Sequence, residues 1–413
     1  MVNVIVNAAA NIRAGTRVVI RDANDRVYVF VNAGGNIRAY KGNVVGEPAS
    51  FAEQEPAGAP DNADYVGLAA AIDSVGLVHI AYYFNDSAAH GASPNIRYAQ
   101  FRTSAHATTQ DDWVLIDEEV AVLDNGEGNY AVKERLAITL TNGDDPQVAW
   151  CDITTDMGTD KTSFYYATRP LGTWFARVLV RQNSSATFAG VIDLDIFIGP
   201  PTDAIGVIRP IIITKDNDGV TGQIDAHHGD QLQATTFTTE ADITGTINVA
   251  EPSSDDQHVV SMAQDSNGDI IVAFVEDVAP ADLMIVKHLA SNGWATWETP
   301  TDVDIVQSHI SPSIAINGTN IYIFDEDNND DIRLWKDEGS GFSQETADPD
   351  LPNVGTFSLP IVKWASRNNN SPRELDYVFQ DSGGAVLYNT FQGAALPVAG
   401  RRRFPHIPRS LRY

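Results

Sequence analysis

The sequence has little cysteine and little positive charge, and both shortages exclude classes of protein. Its single cysteine, Cys151 within V-A-W-C-D, excludes an internal disulfide framework and a cysteine-based zinc site. We expect Cys151 to be a small buried residue. No apolar run approaches the roughly 18 residues that a membrane helix needs, and the opening M-V-N-V-I-V-N-A-A-A lacks the basic residues that begin a signal peptide. We therefore predict neither membrane insertion nor an N-terminal export signal.

The shortage of basic residues also bears on the partners of the protein. Lys and Arg number 27 against 55 Asp and Glu, which gives the 413 residues a formal charge of -28. Nucleic acids are bound through clustered Lys and Arg, so we predict no nucleic-acid partner. The acids comprise 40 Asp and only 15 Glu. This bias resembles that of proteins from salt-loving organisms, where salt screens self-repulsion, and Asp-rich turns explain it equally well.

A repeated pattern of strands runs through the chain. Seven segments each contain a strand, a turn rich in Asp, Asn and Gly, a second apolar strand, a loop, and a third strand rich in aromatic residues. The second strands are V-Y-V-F-V (27–31), V-H-I-A-Y-Y-F (78–84), Q-V-A-W (147–150), V-T-G-Q-I-D-A (220–226), I-I-V-A-F (270–274), I-Y-I-F (321–324) and L-D-Y-V-F (375–379). The six intervals between Val29 and Tyr377 average about 58 residues, a period in the range of β-propeller blades.

The first residues of the chain complete this pattern. Fourth strands follow most repeats, but none follows the seventh, and V-N-V-I-V (2–6) precedes the first repeat without a partner. Pairing the two closes the ring and removes an exposed sheet edge. The sequence therefore predicts an all-β protein, a seven-bladed β-propeller over residues 1–392 that is closed by its N-terminal strand. Six blades are the alternative, because the fourth repeat is weak and 183–206 resembles an insertion.

Two of the repeats resemble those of a known family. G-L-A-A-A-I-D-S-V-G-L-V-H-I-A-Y-Y-F (67–84), with N-I-R-Y-A-Q-F (95–101), and V-S-M-A-Q-D-S-N-G-D-I-I-V-A-F (260–274) are similar to sialidase-type, BNR-like propeller repeats. The resemblance implies the propeller fold, which virion proteins of tailed viruses also use. It does not imply sialidase activity, because no repeat has the Ser-x-Asp-x-Gly box and the early Arg-Ile-Pro element is absent.

No set of residues in the sequence specifies a catalytic site. Hydrolases and lyases need two or three positioned carboxylates or a Tyr/His pair, and a chain with 55 acids always contains such residues. The strongest acid–base candidates are His227 and His228 in D-A-H-H-G-D, just after a predicted middle strand, where two loop histidines are the simpler explanation. We predict a non-enzymatic protein, with a sialidase-like glycan-active hydrolase or lyase as the alternative.

Acidic residues recur in the loop after the middle strand of most repeats. In propellers this loop opens on the face where ligands usually bind, so these acids are predicted to form a negative rim near the central channel. Such a rim suits divalent cations, polyhydroxylated ligands or a basic peptide, and solvated turn residues are the alternative. The predicted rim consists of Asp86, Asp152, Glu276, Asp277, Asp325, Asp327 and Asp381.

Two acidic stretches partly match calcium-binding patterns. Asp216, Asp218 and Asp225 surround Gly219 but lack the first ligand position and the flanking helices of the helix-loop-helix motif. A second stretch alternates acids and an amide without the glycine: Asp325, Asp327, Asn329 and Asp331. We expect that the protein requires no cofactor, and that Ca²⁺ or Mg²⁺ is the cation these residues would hold.

The last residues differ in composition from everything before them. Residues 401–413, R-R-R-F-P-H-I-P-R-S-L-R-Y, contain five arginines and no acid, whereas residues 1–400 contain 22 basic and 55 acidic residues. Pro405 and Pro408 prevent a helix, so 393–413 is predicted to be an extended docking peptide, with a frayed terminus as the alternative. The predicted docking residues are Arg401, Arg402, Arg403, Phe404, Ile407, Arg409, Leu411, Arg412 and Tyr413.

The acidic body and the basic C-terminal peptide together predict a component of a large assembly. We expect a virion structural protein on the outside or the tail of a virus particle, such as a capsid decoration, a turret or an attachment part, with a salt-loving archaeal host suggested by the composition. The expected partners are copies of the protein itself or other virion proteins, and host-surface glycans or glycoproteins. A cytoplasmic protein-interaction scaffold is the second alternative.

Overall fold

A computed structural model gives the arrangement of 28 strands in seven sheets of four strands each. It describes residues 4–8, 18–55, 59–60, 67–84, 95–106, 111–123, 135–156, 159–182, 193–198, 209–216, 222–240, 242–250, 260–265, 267–278, 280–292, 296–305, 309–327, 332–345, 361–364, 374–380 and 385–392. These ranges contain no α-helix, and two single 3-10 turns, Pro170–Gly172 and Ala290–Asn292. Within them, no helix has the length and hydropathy of a membrane span.

Each sheet is a blade whose strands follow one another in antiparallel order. After the N-terminal strand β1 (Val4–Asn7), blades 1 to 3 consist of β2 (Val19–Arg21), β3 (Val27–Ala33), β4 (Asn36–Gly42) and β5 (Phe51–Gln54), then β6 (Leu68–Ile72), β7 (Leu77–Phe84), β8 (Asn95–Arg102) and β9 (Asp112–Val122), then β10 (Leu136–Leu140), β11 (Pro146–Asp156), β12 (Thr159–Thr168) and β13 (Val178–Gln182).

Blades 4 to 6 repeat the same order. They consist of β14 (Asp193–Ile198), β15 (Pro210–Asp216), β16 (Gln223–Gly229) and β17 (Phe237–Glu240), then β18 (Val260–Gln264), β19 (Ile270–Val275), β20 (Leu283–His288) and β21 (Thr301–Asp304), then β22 (His309–Asn317), β23 (Asn320–Asp327), β24 (Ile332–Asp337) and β25 (Ser343–Gln344).

Blade 7 joins the two ends of the ring. It contains β26 (Ile361–Trp364), β27 (Glu374–Gln380) and β28 (Val386–Gln392), and β1 is its fourth strand. In the antiparallel register Val4 lies opposite Tyr388 and Ile5 opposite Leu387. The prediction of seven blades closed by the N-terminal strand is therefore confirmed. Closure of this kind ties residues at opposite ends of the chain into one sheet.

The first strand of each blade lies at the centre of the ring. The strands β2, β6, β10, β14, β18, β22 and β26 contact one another in that order, and β26 contacts β2 again. Side chains of these strands also satisfy backbone N–H groups of the next blade. The Asp195 carboxylate accepts a hydrogen bond from the Met262 N–H at 3.0 Å, and the Ser261 hydroxyl accepts one from the Ile314 N–H at 3.2 Å.

Hydrophobic side chains fill every seam between neighbouring blades. One cluster spans blades 7, 1 and 2, and five further clusters join blades 2 and 3, 3 and 4, 4 and 5, 5 and 6, and 6 and 7. Cys151 belongs to the cluster between blades 3 and 4 and is buried, as predicted. Burial of apolar area, at roughly 25 cal/mol per Å², stabilises each blade on its neighbours rather than alone.

Many of the aspartates form the hairpin turns between the first and second strands. Asp22 Oδ1 accepts hydrogen bonds from the N–H groups two and four residues later, at 2.9 Å each, and Asp73 and Asp265 do the same. In blade 3 the hydroxyl of Thr141 takes this role. A short acceptor side chain replaces the backbone acceptor that a tight turn lacks. The repeated Asp, Asn and Gly of the sequence are therefore turn-forming residues.

Blade 4 differs from its sequence prediction by one strand. The segment 183–206, expected to be an insertion, contains the innermost strand β14, D-L-D-I-F-I. The stretch predicted as the first strand is the second strand β15, and the predicted middle strand overlaps β16, the third. β14 is short and contains two acids, whereas β15 contains the continuous apolar run I-I-I, so β15 has the stronger signal of a buried first strand.

Candidate functional site

The predicted acidic rim includes two residues that lie in the protein interior. Asp152 is in β11 and is buried, with its carboxylate 3.6 Å from the Arg177 guanidinium. Arg177 in turn lies over the Tyr165 ring, 4.5 Å from its centroid. Asp325 is fully buried in β23. Both carboxylates have partners within the protein, so neither is presented to solvent in the way that the rim prediction requires.

Asp325 belongs to a buried group of three charges at the seam between blades 5 and 6. Its carboxylate contacts Nδ1 of His309, and Nε2 of His309 lies 2.9 Å from Asp304. Burial opposes a positive charge on the ring, but the two carboxylates outweigh it and raise the pKa of His309 above its usual value. The two carboxylates therefore favour the protonated form of the His309 ring, while burial raises the pKa of Asp325 itself. Asp327 lies at the end of β23, opposite His309 in the register.

The surface part of the rim is confined to blade 5 in the described residues. Burial and the negative charges of Asp282 and Asp302 raise the pKa of Glu276, which marks these carboxylates as close neighbours. Asp277 is exposed and accepts a hydrogen bond from the Asn248 amide at 2.8 Å. Asp86 and Asp381 lie outside the described residues. Ligand binding by this rim stays a prediction.

The predicted cation site is not assembled in the described part of the chain. Asp216 ends β15, opposite Gln223, and Asp218 lies outside the described residues. Asp225 is buried in β16, where its carboxylate pairs with Arg181 and accepts the Asp242 N–H at 2.6 Å. Among the described side chains, no group of three or more His, Cys, Asp or Glu is arranged to hold a metal ion.

The sequence suggested that His227 lies in a loop. In the structure it belongs to β16, the third strand of blade 4. Its ring is buried between two hydroxyls, with Nε2 2.9 Å from Thr214 Oγ1 and Nδ1 2.9 Å from Thr239 Oγ1. Burial, together with the charges of Arg181 and His228, lowers the pKa of His227 to about 3. The imidazole is therefore neutral near pH 7. Both of its ring nitrogens are hydrogen-bonded, so it is not placed to exchange a proton with a ligand.

An open cleft lies between blades 4 and 5, and no sequence motif pointed to it. It has a volume of about 480 Å³ and is lined by residues 240 and 242–247 of blade 4 and residues 296–300 of blade 5. The blade 4 wall is the segment that follows β17. It is fixed by backbone hydrogen bonds from Ile243 to Ile224 and from Val249 to Gly222. Ile243 and Val249 are buried in the hydrophobic cluster between the two blades.

Trp297 is the aromatic residue of the cleft. Its ring stacks on the His288 ring, with centroids 4.5 Å apart and planes 12° apart, and the backbones of the two residues form an isolated bridge. The indole N–H donates to Glu240 Oε2 at 3.0 Å. His228 lies 3.4 Å from the same carboxylate oxygen and meets the His288 ring edge-on. These contacts fix the orientation of a half-buried indole at the mouth of the seam.

The charged side chains that line the cleft in the described residues are all acidic. They are Glu240, Asp242 and Glu298, and none of the lining residues that the structure describes is a lysine or arginine. Asp242 accepts a hydrogen bond from the Thr244 hydroxyl at 3.1 Å. The remaining polar lining consists mainly of threonines and backbone groups. An aromatic surface surrounded by a few hydrogen-bonding groups is the usual composition of a small-ligand site.

Sequence reasoning missed this site for a geometric reason. Its two walls are about 50 residues apart in the chain, and Trp297 lies in the part of the fifth repeat where a fourth strand is expected. Glu240 is one of 55 acids and has no distinguishing neighbour in the sequence. The signal that was available is the polar stretch W-A-T-W-E-T-P (294–300), which has more aromatic character than an ordinary turn needs.

Comparisons with known proteins support the fold. No family model matches the sequence, and no curated protein sequence matches it. Among solved structures, the BP39L lectin from Burkholderia pseudomallei superposes with a TM-score of 0.56 and 13% identity, covering 92% of this chain and 97% of the lectin. An ulvan lyase bound to -[GlcA(1-4)Rha3S]- superposes with a TM-score of 0.54 and 12% identity, covering 93% and 94% of the two chains.

At these identities the likeness concerns the fold alone. The chain is a seven-bladed β-propeller of the architecture found in a lectin and in polysaccharide lyases. The resemblance to sialidase-type repeats has no family match behind it and extends only to the propeller fold. The same fold serves sugar binding in one neighbour and polysaccharide cleavage in another, so activity must be argued from the site.

Proposed function

We propose that this protein is a carbohydrate-binding β-propeller that acts without catalysis and binds sugar in the cleft between blades 4 and 5. The observation that carries the proposal is the fixed, half-buried Trp297 beside Glu240. A flat indole offers an apolar surface to the C–H face of a sugar ring, while carboxylates and threonine hydroxyls hydrogen-bond to sugar hydroxyls. The lectin neighbour supports this use of the fold.

The cleft is large enough to hold part of a glycan. Its volume of about 480 Å³ lies within the roughly 300–1,000 Å³ of typical ligand pockets. Both walls are continuous with strand ends and with the hydrophobic cluster of the seam. A site supported in this way is formed before the ligand arrives, so little ordering is needed on binding.

A glycan microarray followed by titration calorimetry tests the proposal. Wild-type protein is expected to bind a defined group of sugars, and Trp297→Ala to weaken that binding at least tenfold because the stacking surface is lost. Trp297→Phe retains a flat ring and is expected to recover part of the affinity. Phe175→Ala is the matched control, because Phe175 is an exposed aromatic residue on blade 3.

Two outcomes contradict this function. The first is a folded wild-type protein that binds no sugar on the array. The second is a Trp297→Ala variant that keeps both the wild-type unfolding temperature and the wild-type affinity. A fold check on each variant by circular dichroism separates loss of the site from loss of the blade.

A polysaccharide lyase is the second candidate, favoured by the lyase neighbours. A lyase needs an acid–base group that reaches the substrate. Two of the described histidines, His227 and His309, are fully buried with both ring nitrogens in contact with protein groups, and are poorly placed for this role. Incubation with uronate-containing polysaccharides tests the alternative, since a lyase would generate an unsaturated uronate with a strong ultraviolet absorbance.

We propose separately that the protein is a structural component of a virus particle. This proposal depends on the composition and on the C-terminal peptide 393–413, which lies outside the described residues. Light scattering of the full chain and of a chain ending at Gly400 tests it. If residues 401–413 dock to a neighbouring copy, the full chain forms assemblies that the shortened chain does not. Two identical folded monomers contradict self-assembly through this peptide.

A further inference from the structure

The charges of the cleft limit which sugars can occupy it. Glu240 is 40% exposed, Glu298 is exposed and Asp242 is half-buried. Within the described residues, no lysine or arginine forms an ion pair with any of the three. Glu240 instead bonds to the neutral indole N–H of Trp297 and approaches His228. Among the described residues, the cleft thus presents three carboxylates and one basic group, the His228 ring beside Glu240, with no lysine or arginine partner.

Lys287, which precedes the cleft wall of blade 5 in the chain, does not change this balance. Lys287 accepts the backbone N–H of Glu298 through its carbonyl at 2.8 Å, yet its side chain is not part of the cleft lining. The chain as a whole carries a formal charge of -28, so its long-range field has the same sign as the local one. Sugars with uronate or sulfate groups are repelled at both ranges.

We infer that the cleft between blades 4 and 5 selects sugars that carry a protonated amine, such as non-acetylated hexosamines, over neutral and anionic sugars. The inference rests on the proposed function and specifies its ligand class. A sugar ring packed on Trp297 would lie beside Glu240, in the cleft that Asp242 and Glu298 also line. Ammonium–carboxylate hydrogen bonds are stronger than those between neutral groups, which gives the aminated sugar its advantage.

The size of this advantage follows from the exposure of the carboxylates. Exposed ion pairs are individually weak, so we expect the three carboxylates together to give a preference of about tenfold for an aminated over an acetylated sugar. Salt reduces the preference, because the screening length falls from about 10 Å at 0.1 M to about 3 Å at 1 M. Stacking on the indole is less sensitive to salt and remains.

Calorimetry with three matched tetrasaccharides tests the inference. The probes are the tetramer of glucosamine, the tetramer of N-acetylglucosamine and the tetramer of galacturonic acid, each at pH 6 in 0.1 M and in 1 M salt. We expect about tenfold tighter binding of the glucosamine tetramer at 0.1 M, a smaller difference at 1 M, and no binding of the galacturonic acid tetramer. Glu298→Gln combined with Asp242→Asn should reduce the preference to about threefold or less.

The controls separate the inference from the proposed function. Glu47→Gln, an exposed acid on blade 1, should leave the preference unchanged. Equal affinity for the glucosamine and N-acetylglucosamine tetramers overturns the charge selection while sugar binding stands. No binding of any tetramer, or of any sugar on the array, contradicts the proposed function itself. If tetralysine binds as well as the glucosamine tetramer and Trp297→Ala changes neither, the cleft is a general cation site and the inference is wrong.

Discussion

Two seams of the same ring use charge in opposite ways. Between blades 7 and 1, Arg21 is buried and forms two hydrogen bonds to Asp376, of 2.8 and 2.5 Å. Asp376 also accepts the Tyr388 hydroxyl, and Arg21 reaches Asp25 at 2.9 Å. Between blades 4 and 5, the acids that line the cleft have no lysine or arginine partner among the described residues, and Glu240 lies 3.4 Å from His228. The charged groups between blades 7 and 1 pair with each other and help to close the ring, whereas the acids between blades 4 and 5 can contact a ligand.

The difference follows from what each seam must do. Blades 7 and 1 contain both ends of the propeller, so their contact has the longest sequence separation in the ring and the largest entropy cost of closure. A bidentate Arg–carboxylate pair admits one geometry and therefore specifies which blades meet. Blades 4 and 5 are neighbours in the chain, so their hydrophobic cluster is sufficient for stability. A cleft can be tolerated there.

Breaking the buried pair is expected to have the largest effect on stability. Arg21→Ala leaves the Asp376 carboxylate buried and without its cation, which costs about 3–5 kcal/mol. Urea unfolding followed by tryptophan fluorescence measures the loss. Replacing the pair together, Arg21→Met with Asp376→Leu, should recover most of it because no charge is left buried. A cost below about 1 kcal/mol for Arg21→Ala would show that the pair does not hold the ring closed.

A substitution in the seam between blades 4 and 5 is expected to cost less stability than breaking the buried pair. A Cβ added at Gly222 would overlap the carbonyl of Val249, which is fixed in the blade 4 wall of the cleft. Gly222→Ala should therefore destabilise the protein by about 2 kcal/mol and displace the cleft wall, which weakens sugar binding as well. Gly143→Ala is the matched control, since its added Cβ would be 3.6 Å from the nearest atom. Equal unfolding midpoints for the two variants contradict this account.

Much of the ring could be predicted from the sequence, because each blade is formed by short segments whose residue pattern repeats. The hairpin acids and the apolar second strands recur in the repeats. The N-terminal strand has no partner of its own in the sequence, and a closed ring supplies one. The innermost strand β14 was missed because its six residues, D-L-D-I-F-I, are a short segment with two acids, next to the longer apolar run of β15. The cleft was missed because it is made by two loops that meet only after the blades pack, and no local pattern encodes that contact.

Acid is expected to lower the stability of the protein through His227 in blade 4, one of the two blades that form the cleft. His227 has a pKa of about 3 in the folded protein against about 6.5 in the unfolded chain, so the unfolded state binds more protons between these values. Stability should therefore fall as the pH drops from about 6.5 towards 3, by up to about 1.4 kcal/mol per pH unit. Unfolding midpoints measured from pH 7 to pH 5 give the slope.

Two variants assign that slope to His227. His227→Gln can still hydrogen-bond to the Thr214 and Thr239 hydroxyls but does not titrate, so its slope should be smaller than that of the wild type by most of this amount. Thr214→Val removes one hydrogen bond and keeps the imidazole, so it should lower stability at every pH with the slope retained. If His227→Gln has the wild-type slope, other groups are responsible for the acid sensitivity.

The prediction with the smallest expected effect tests whether blades 1 and 5 are equivalent away from the two seams. Asp22 in blade 1 and Asp265 in blade 5 form the same hairpin turn, each accepting two backbone N–H groups at 2.8–2.9 Å. Asp22→Ala and Asp265→Ala should each cost about 1 kcal/mol by urea unfolding, and the Asn variants less, since an amide oxygen also accepts. Costs that differ by more than about 1 kcal/mol would contradict the equivalence of the blades, and the contrast between the two seams would then extend into the hairpins themselves.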